Sequence, residues 1–369
     1  MKKILIVFGT RPEAIKMAPV VHKFQQYPEK FEVKVCVTAQ HREMLDQVLS
    51  LFNIEPDYDF NLMKPNQDLS DITSLILLKF KALFQEYRPD IVFVHGDTTT
   101  TMASSIASFY HKITVAHIEA GLRTHDIYSP YPEEMNRQIT ARIAKYHFAP
   151  TNTSKNNLLQ EGILEENIHI TGNTVIDALF QVVEKQKNRF INIKGYTPSD
   201  KKIILVTGHR RENFGQGFIN ICEAIKKIAI NNPDMDIVYP VHLNPNVQTV
   251  VHEKLGNISN VYLIDPLEYE QFVYLLSHVY IALTDSGGVQ EEAPSLGIPI
   301  LVMRENTERP EAVDAGTVKL VGTDVNKIVN EVELLINNKN YYNKMSTALN
   351  PYGDGHASDK IVKVIMNDY

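Results

Sequence analysis

Short, uninterrupted apolar runs alternate with amphipathic stretches along almost the whole chain. The runs predict strands at Lys3 to Phe8, Glu32 to Thr38, Ile91 to His95, Thr114 to Glu119 and His147 to Ala149, with helices between them. A strand that is apolar on both faces must be covered on both faces, so this βαβα order reads as a parallel sheet with helices on either side. From Gln181 to Asp200 the pattern gives way to polar sequence containing Gly195 and Pro198, which suits a transition between domains. It restarts at Lys202 to Thr207 and continues through strands at Asp236 to Pro240, Asn260 to Ile264, Val279 to Leu283, Ile298 to Met303 and Val318 to Leu320. Helices follow from Val325 to Asn337 and near Asn340 to Ala348. The two series echo each other, because Gly9-Thr10-Arg11-Pro12-Glu13 and Gly208-His209-Arg210-Arg211-Glu212 both place Gly-X-Arg-X-Glu directly after the first strand of their domain.

The remaining bulk properties narrow the class. A chain of 369 residues has room for roughly two or three domains of about 100 to 200 residues each. Its net charge of −7 argues against a general nucleic-acid binder and against an anionic membrane surface, both of which need a basic face. Any anionic ligand must then be met by local cations. Cys36 and Cys222 have no partner spacing, so two buried thiols are expected rather than a disulfide or a zinc site. Only five apolar residues separate Lys3 from Gly9, too few for a signal peptide, and no later apolar run approaches ~18 residues. A cytoplasmic protein is the expectation.

Candidate chemistry gathers where strands end. Thr284-Asp285-Ser286-Gly287-Gly288-Val289-Gln290-Glu291-Glu292 joins a strand to a helix through two adjacent glycines. Glycines admit a phosphate close to the backbone, and the helix N-terminus supplies free N–H groups and the positive end of its dipole. Glu292 then suits the vicinal hydroxyls of a ribose, as acidic residues do in dinucleotide folds. The plainer reading is a helix start capped by Ser286. At the first turn, Thr10 and Glu13 are spaced for a capping box on a helix whose first residue is Pro12. That leaves Arg11 and Lys16 near a helix N-terminus, as phosphate ligands or as solvated surface charges. Asp97 follows one strand and Glu119 the next, while Glu133 opens another helix. Each also has a structural reading: Asp97 as a helix cap, Glu119 as a partner for Arg123, and Glu133 as a dipole-favoured first turn. The second half adds His209, Arg210, Arg211, His242, Arg304 and Arg309 at its own strand ends. Imidazole and guanidinium are groups suited to phosphate.

No G-x-G-x-x-G fingerprint and no metal-ligand spacing is present, so neither a nicotinamide cofactor nor a metal is expected. Ser286 lacks a nucleophile-elbow context and is assigned to ligand binding.

The runs Phe8 to Lys16, His95 to Thr98, Glu119 to Thr124, Pro132 to Arg137, Gly208 to Asn213, Asp285 to Gly288 and Glu308 to Glu311, in this order, resemble the bacterial non-hydrolysing UDP-N-acetylglucosamine 2-epimerases over nearly the whole chain. The resemblance implies an α/β fold of glycosyltransferase-B type, two Rossmann-like doubly wound domains facing across a cleft. The domains expected are residues 1–175 and 176–355, with a C-terminal helix in 356–369 crossing back to the first. It also implies a homodimer, UDP-N-acetylglucosamine and UDP as ligands, and no cofactor. Residue by residue, Arg11 and Lys16 match diphosphate contacts in the first domain, and Ser286, Gly287, Gly288 and Arg309 those in the second. Glu292 matches the ribose carboxylate and Phe272 an aromatic residue close to uracil. Asp97, Glu119, Glu133 and His209 match the residues implicated in catalysis. Leu267 departs from relatives that carry Gln beside the base, so a side-chain contact there is lost. Gln40, His41, Gln67, Arg211 and His242 resemble, more loosely, the place where a second UDP-N-acetylglucosamine acts as activator. A glycosyltransferase of the same architecture, a hydrolysing epimerase and a non-catalytic nucleotide-sugar sensor are the alternatives.

Overall fold

Ile4 to Phe8, without one polar side chain, are at 1% exposure or less. Only a strand with a neighbour on each edge and helices on each face can bury them so completely. In the computed structural model, which describes residues 1–39, 42–64 and 66–368, that strand lies at the centre of the first of two compact units. The first unit is Met1–Gln181 with the segment from Tyr352 onward, and the second is Val182–Pro351.

The first unit contains β1 (Lys2–Phe8), α1 (Arg11–Gln25), β2 (Phe31–Val37), α2 (Arg42–Leu51), β3 (Tyr58–Asp59), α3 (Leu69–Glu86), β4 (Ile91–His95), α4 (Thr99–Tyr110), β5 (Thr114–Ile118), α5 (Glu133–Ile143), β6 (Tyr146–Ala149), α6 (Asn152–Gln160) and β7 (Ile168–Ile170), and α7 (Thr174–Gln186) follows. Its sheet has the order β3-β2-β1-β4-β5-β6-β7 and every pairing is parallel. The strands β3 (Tyr-Asp) and β7 (Ile-His-Ile) escape the sequence pattern because neither is an uninterrupted apolar run. The strand expected to reach Glu119 stops at Ile118, since Glu119 adopts a left-handed backbone with φ +62°.

The second unit contains β8 (Lys202–Thr207), α8 (Gln216–Asn231), β9 (Met235–Pro240), α9 (Pro245–Leu255), β10 (Val261–Ile264), α10 (Tyr269–Leu276), β11 (Val279–Thr284), α11 (Gly287–Glu292), β12 (Ile300–Val302), α12 (Pro310–Asp314), β13 (Val318–Leu320), α13 (Val325–Asn337) and α14 (Lys339–Ser346). Its parallel sheet runs β10-β9-β8-β11-β12-β13, and α8, α9 and α13 cover one face with Ile221, Ile225, Val247, Val251, Ile328 and Val332.

The C-terminal helix α15 (Ala357–Asn367) packs on α1 within the first unit. Its N-terminus is fixed by the buried Asp177 carboxylate of α7, which accepts hydrogen bonds from the N–H of Ala357 (3.1 Å) and from the N–H (2.8 Å) and hydroxyl (2.6 Å) of Ser358. A negative charge at that end is favoured by the helix dipole and by the unfilled amides of the first turn. Cys36 and Cys222 are buried free thiols. Among the described residues no helix is long and apolar enough to cross a membrane.

Candidate active site

Each sheet reverses its direction of growth once. The chain builds outward from β1 to β3 and then returns to lay β4 against β1; in the second unit it builds outward from β8 to β10 and returns to lay β11 against β8. Outside the carboxyl ends of two such strands the following loops diverge and leave a crevice, the usual ligand position in an open α/β sheet.

In the first unit, the β1 turn carries the expected capping box, with the Thr10 hydroxyl accepting from the Glu13 N–H and the Glu13 carboxylate accepting in return from the Thr10 N–H. Glu13 also accepts from the N–H of Gly9 (3.0 Å) and from the Thr98 hydroxyl (2.7 Å), so one buried carboxylate ties the starts of α1 and α4 together. Burial raises its pKa, and these hydrogen bonds oppose the rise.

The acid-base candidates stand on the next two strand ends. Asp97 does not cap α4; Thr98 does, accepting from the Thr101 N–H. Instead the Asp97 carboxylate receives Arg137 through Nε (2.9 Å) and Nη2 (2.6 Å). Arg137 reaches Glu134 with Nη1 (3.1 Å). Burial of Glu134 works against its charge, but the amides of Thr124 and His125 and the Arg137 guanidinium outweigh it and hold the carboxyl below its ordinary range. Glu119 does not pair with Arg123, which is taken by Glu161. The Glu119 carboxylate receives the Lys16 ammonium and the Asn173 side-chain amide (2.7 Å), with His95 Nε2 at 3.8 Å. A non-glycine residue held in the left-handed region costs of order 1–3 kcal/mol and persists where its surroundings over-determine it. Thr10, Gln67, Asp97, Pro132, Glu133 and Asn136 line a cleft of about 590 Å³. Glu133 lines this cleft, and its Oε2 is shielded from solvent without a hydrogen-bond partner among the described residues.

Behind these groups lie buried histidines. His117 and His147 face each other in register on β5 and β6. The His117 Nε2–H donates to the Gly96 carbonyl (2.7 Å), fixing the turn that carries Asp97. Burial drives the His117 imidazole down to about 3 and that of His147 to about 4.

In the second unit the echoing turn is built differently. Arg211–Asn213 form a short 3-10 helix rather than a capped α-helix, and Glu212 pairs with Arg304. The amides of His209 and Arg210 donate instead to Asp285, both at 2.8 Å. Asp285 is fully buried at the end of β11, and its other oxygen lies 3.4 Å from His209 Nδ1. Burial lowers the His209 pKa, while Asp285 pulls it upward. His209 stacks on His242, with ring centroids 5.3 Å apart.

Gly208, His209, His242, Leu267, Phe272, Ser286, Gly288 and Glu292 line a second cleft, of about 250 Å³. Ser286 occupies the position before α11 but its hydroxyl makes no capping bond. Tyr269 donates to Glu292 at 2.8 Å. A side-chain carbon added at Gly287 or Gly288 would meet protein atoms only at 3.8 Å or beyond, and neither residue has positive φ. The protein's own packing thus does not require glycine at either position. Arg309 lies beside Gly287 and is ion-paired with Glu291.

The structure thus brings Lys16 and Glu119 together, places Asp97 and Glu133 along one cleft with Gln67, and gathers His209, His242, Phe272, Ser286, Gly288 and Glu292 around another. Arg11 opens α1. Gln40, His41 and the side chain of Arg211 lie outside the described residues. Sequence pattern missed Asp285, Asn173 and Tyr269 as partners of these groups. The pairing of Arg137 with Glu134, three residues before it on α5, could have been found from helical spacing.

Two Rossmann-like doubly wound units, each gathering its polar groups at the switch point of its sheet, define an α/β enzyme of glycosyltransferase-B type. A sequence profile described as UDP-N-acetylglucosamine 2-epimerase matches residues 22–366, and the chain belongs to that family. It is 60% identical over 375 residues to the UDP-N-acetylglucosamine 2-epimerase of Campylobacter jejuni, covering 99% of this chain and 98% of that protein. To the Escherichia coli (strain K12) UDP-N-acetylglucosamine 2-epimerase it is 59% identical over 372 residues, covering 99% of each. The crystal structure of the Neisseria meningitidis UDP-GlcNAc 2-epimerase bound to UDP-GlcNAc is similar at TM-score 0.88 and 53% identity, covering 99% of this chain and 100% of that one.

Proposed function

We propose that this protein interconverts UDP-N-acetylglucosamine and UDP-N-acetylmannosamine without hydrolysis. The observation that carries the reading is the set of three carboxylates, Asp97, Glu119 and Glu133, at the carboxyl edge of the first sheet. The hydrogen on C2 of the sugar is not next to a carbonyl, so its removal needs a leaving group on C1. A carboxylate takes the C2 proton, the C1–O bond breaks with its electron pair passing to UDP, and a C1=C2 double bond forms, giving 2-acetamidoglucal. In the return step the UDP oxygen adds to C1 and a proton reaches C2 from the opposite face. Separate acid and base groups need environments that differ. The pairing of Asp97 with a guanidinium and of Glu119 with an ammonium and an amide, beside the unpartnered Oε2 of Glu133, supports such a division.

In this reading the second unit binds the nucleotide. Ser286, Gly287, Gly288 and Arg309 take the diphosphate, Glu292 the ribose and Phe272 the uracil side, while His209 stands beside the departing group; Arg11 and Lys16 are the first unit's cations. Preorganised donors of this kind commonly contribute about 10²-fold or more to rate. The family resemblance extends the reading to a cytoplasmic homodimer, and to Gln67 and His242 among the residues a second substrate molecule contacts as activator.

Proton NMR of the pure protein with UDP-N-acetylglucosamine alone in heavy water tests the proposal. The expected result is UDP-N-acetylmannosamine with deuterium at C2 in both epimers. Retention of the C2 proton refutes the elimination route. Free N-acetylmannosamine marks a hydrolysing enzyme, and an unchanged spectrum a binding protein.

A further inference from the structure

We propose that Asn173 is a positioning residue for the Glu119 carboxylate, an inference that rests on the catalytic reading of Glu119. Asn173 follows β7 on the loop that opens α7 and is 3% exposed. Its side chain is used at both ends. The carbonyl oxygen accepts from the N–H of Val175 at 3.0 Å, which locks the amide orientation, and the NH₂ group donates to Glu119 Oε2 at 2.7 Å. The backbone of the loop is clamped as well, for the N–H of Asn173 donates to the Tyr352 carbonyl at 2.7 Å. At Gly172, φ +87°, a side-chain carbon would stand 3.0 Å from that same carbonyl. The amide is therefore delivered to Glu119 by a rigid turn.

What it does there follows from its chemistry. Asn173 Nδ2 and the Lys16 ammonium converge on one oxygen of Glu119, and two donors on a buried carboxylate favour its ionised form and fix its direction. An ammonium on a long flexible stem attracts without aiming; the amide on a locked turn sets the angle. Asn173 thus holds Glu119 charged and pointed while the backbone at Glu119 stays in its left-handed conformation.

Asn173→Asp tests this, because the aspartate retains an acceptor for Val175 but loses the donor and sets a second carboxylate against Glu119. Two carboxylates in contact cannot both ionise readily, and one pKa rises. The expected result is a kcat reduced by about 10²-fold with KM for UDP-N-acetylglucosamine within about threefold of wild type, and an acid limb of the kcat/KM profile moved upward by about one pH unit or more. Asn173→Ser keeps a short acceptor for the turn, removes the amide that reaches Glu119 and adds no charge. It should lose about tenfold or more in kcat with little movement of the acid limb, so an aspartate variant that does not fold leaves the proposal open to refutation. If either folded variant keeps wild-type kcat and pH profile, Asn173 serves the loop alone and the proposal falls. Glu119→Gln run in parallel separates the two levels: activity retained there overturns the catalytic reading itself, whereas an inactive Glu119→Gln beside fully active Asn173 variants overturns only the positioning role.

Discussion

Lowering the pH from about 7.5 to about 5 should destabilise the first unit by about 4 kcal/mol, through the two histidines that face each other on β5 and β6. In the folded protein burial keeps His117 neutral down to about pH 3 and His147 down to about 4. In the unfolded chain each takes up a proton near its ordinary value of about 6.5. With folded values below the unfolded one, the stabilisation is complete above that ordinary value and is lost as the pH falls toward the folded values. At about pH 5 each imidazole is about 1.5 units below its unfolded midpoint, which at about 1.4 kcal/mol per unit is about 2 kcal/mol per residue. Glu13 and Asp177, whose pKa values burial raises, bind protons more tightly when folded and so oppose the loss as the pH falls from their raised values to the ordinary carboxylate range. Against a total stability of about 5–15 kcal/mol the histidine contribution is large. Native-state hydrogen exchange of the β5 and β6 amides across this pH range reads it directly. His117→Gln, whose side-chain amide can donate to the Gly96 carbonyl without titrating, should halve the slope. A wild-type opening free energy flat to about 1 kcal/mol, or an unchanged slope in the glutamine variant, would refute the reasoning.

Two further outcomes are expected. Asp97→Asn, Glu119→Gln and Glu133→Gln should each lower turnover by about 10²-fold or more while UDP affinity, measured by calorimetry, stays within a few-fold; a folded variant with near wild-type turnover removes that residue from the catalytic set. Asp177→Ala deletes three hydrogen bonds at the start of α15 and should loosen that helix by about 2–3 kcal/mol, the cost of burying the charge offsetting part of what the bonds contribute; unchanged exchange protection of the α15 amides would show that apolar packing alone docks it.

Much of this was legible in the chain because it is local. The capping box at Thr10 and Glu13 needs only a spacing of three, and the central strands announce themselves by lacking polar residues. The helix boundaries in the second unit, such as Val325–Asn337, follow from periodicity alone. What could not be read is non-local. Glu119 was open to pairing with Arg123, four positions on, but its left-handed backbone breaks the regular spacing on which that pairing relies, and its partners come from Lys16 and Asn173. The echo between Gly9 and Gly208 is real in sequence but covers two constructions, since Asp285 reaches the second turn only because β11 pairs with β8.

Those two constructions share a property. In each, the amides that follow the first strand are already occupied by a carboxylate of the chain itself, Glu13 in one unit and Asp285 in the other. An anion is thus built into both turns during folding, before any nucleotide arrives. Neither turn needs a ligand as its template, and neither leaves these amides bare between turnovers. A cell that has exhausted its nucleotide sugar would retain these two turns in working shape.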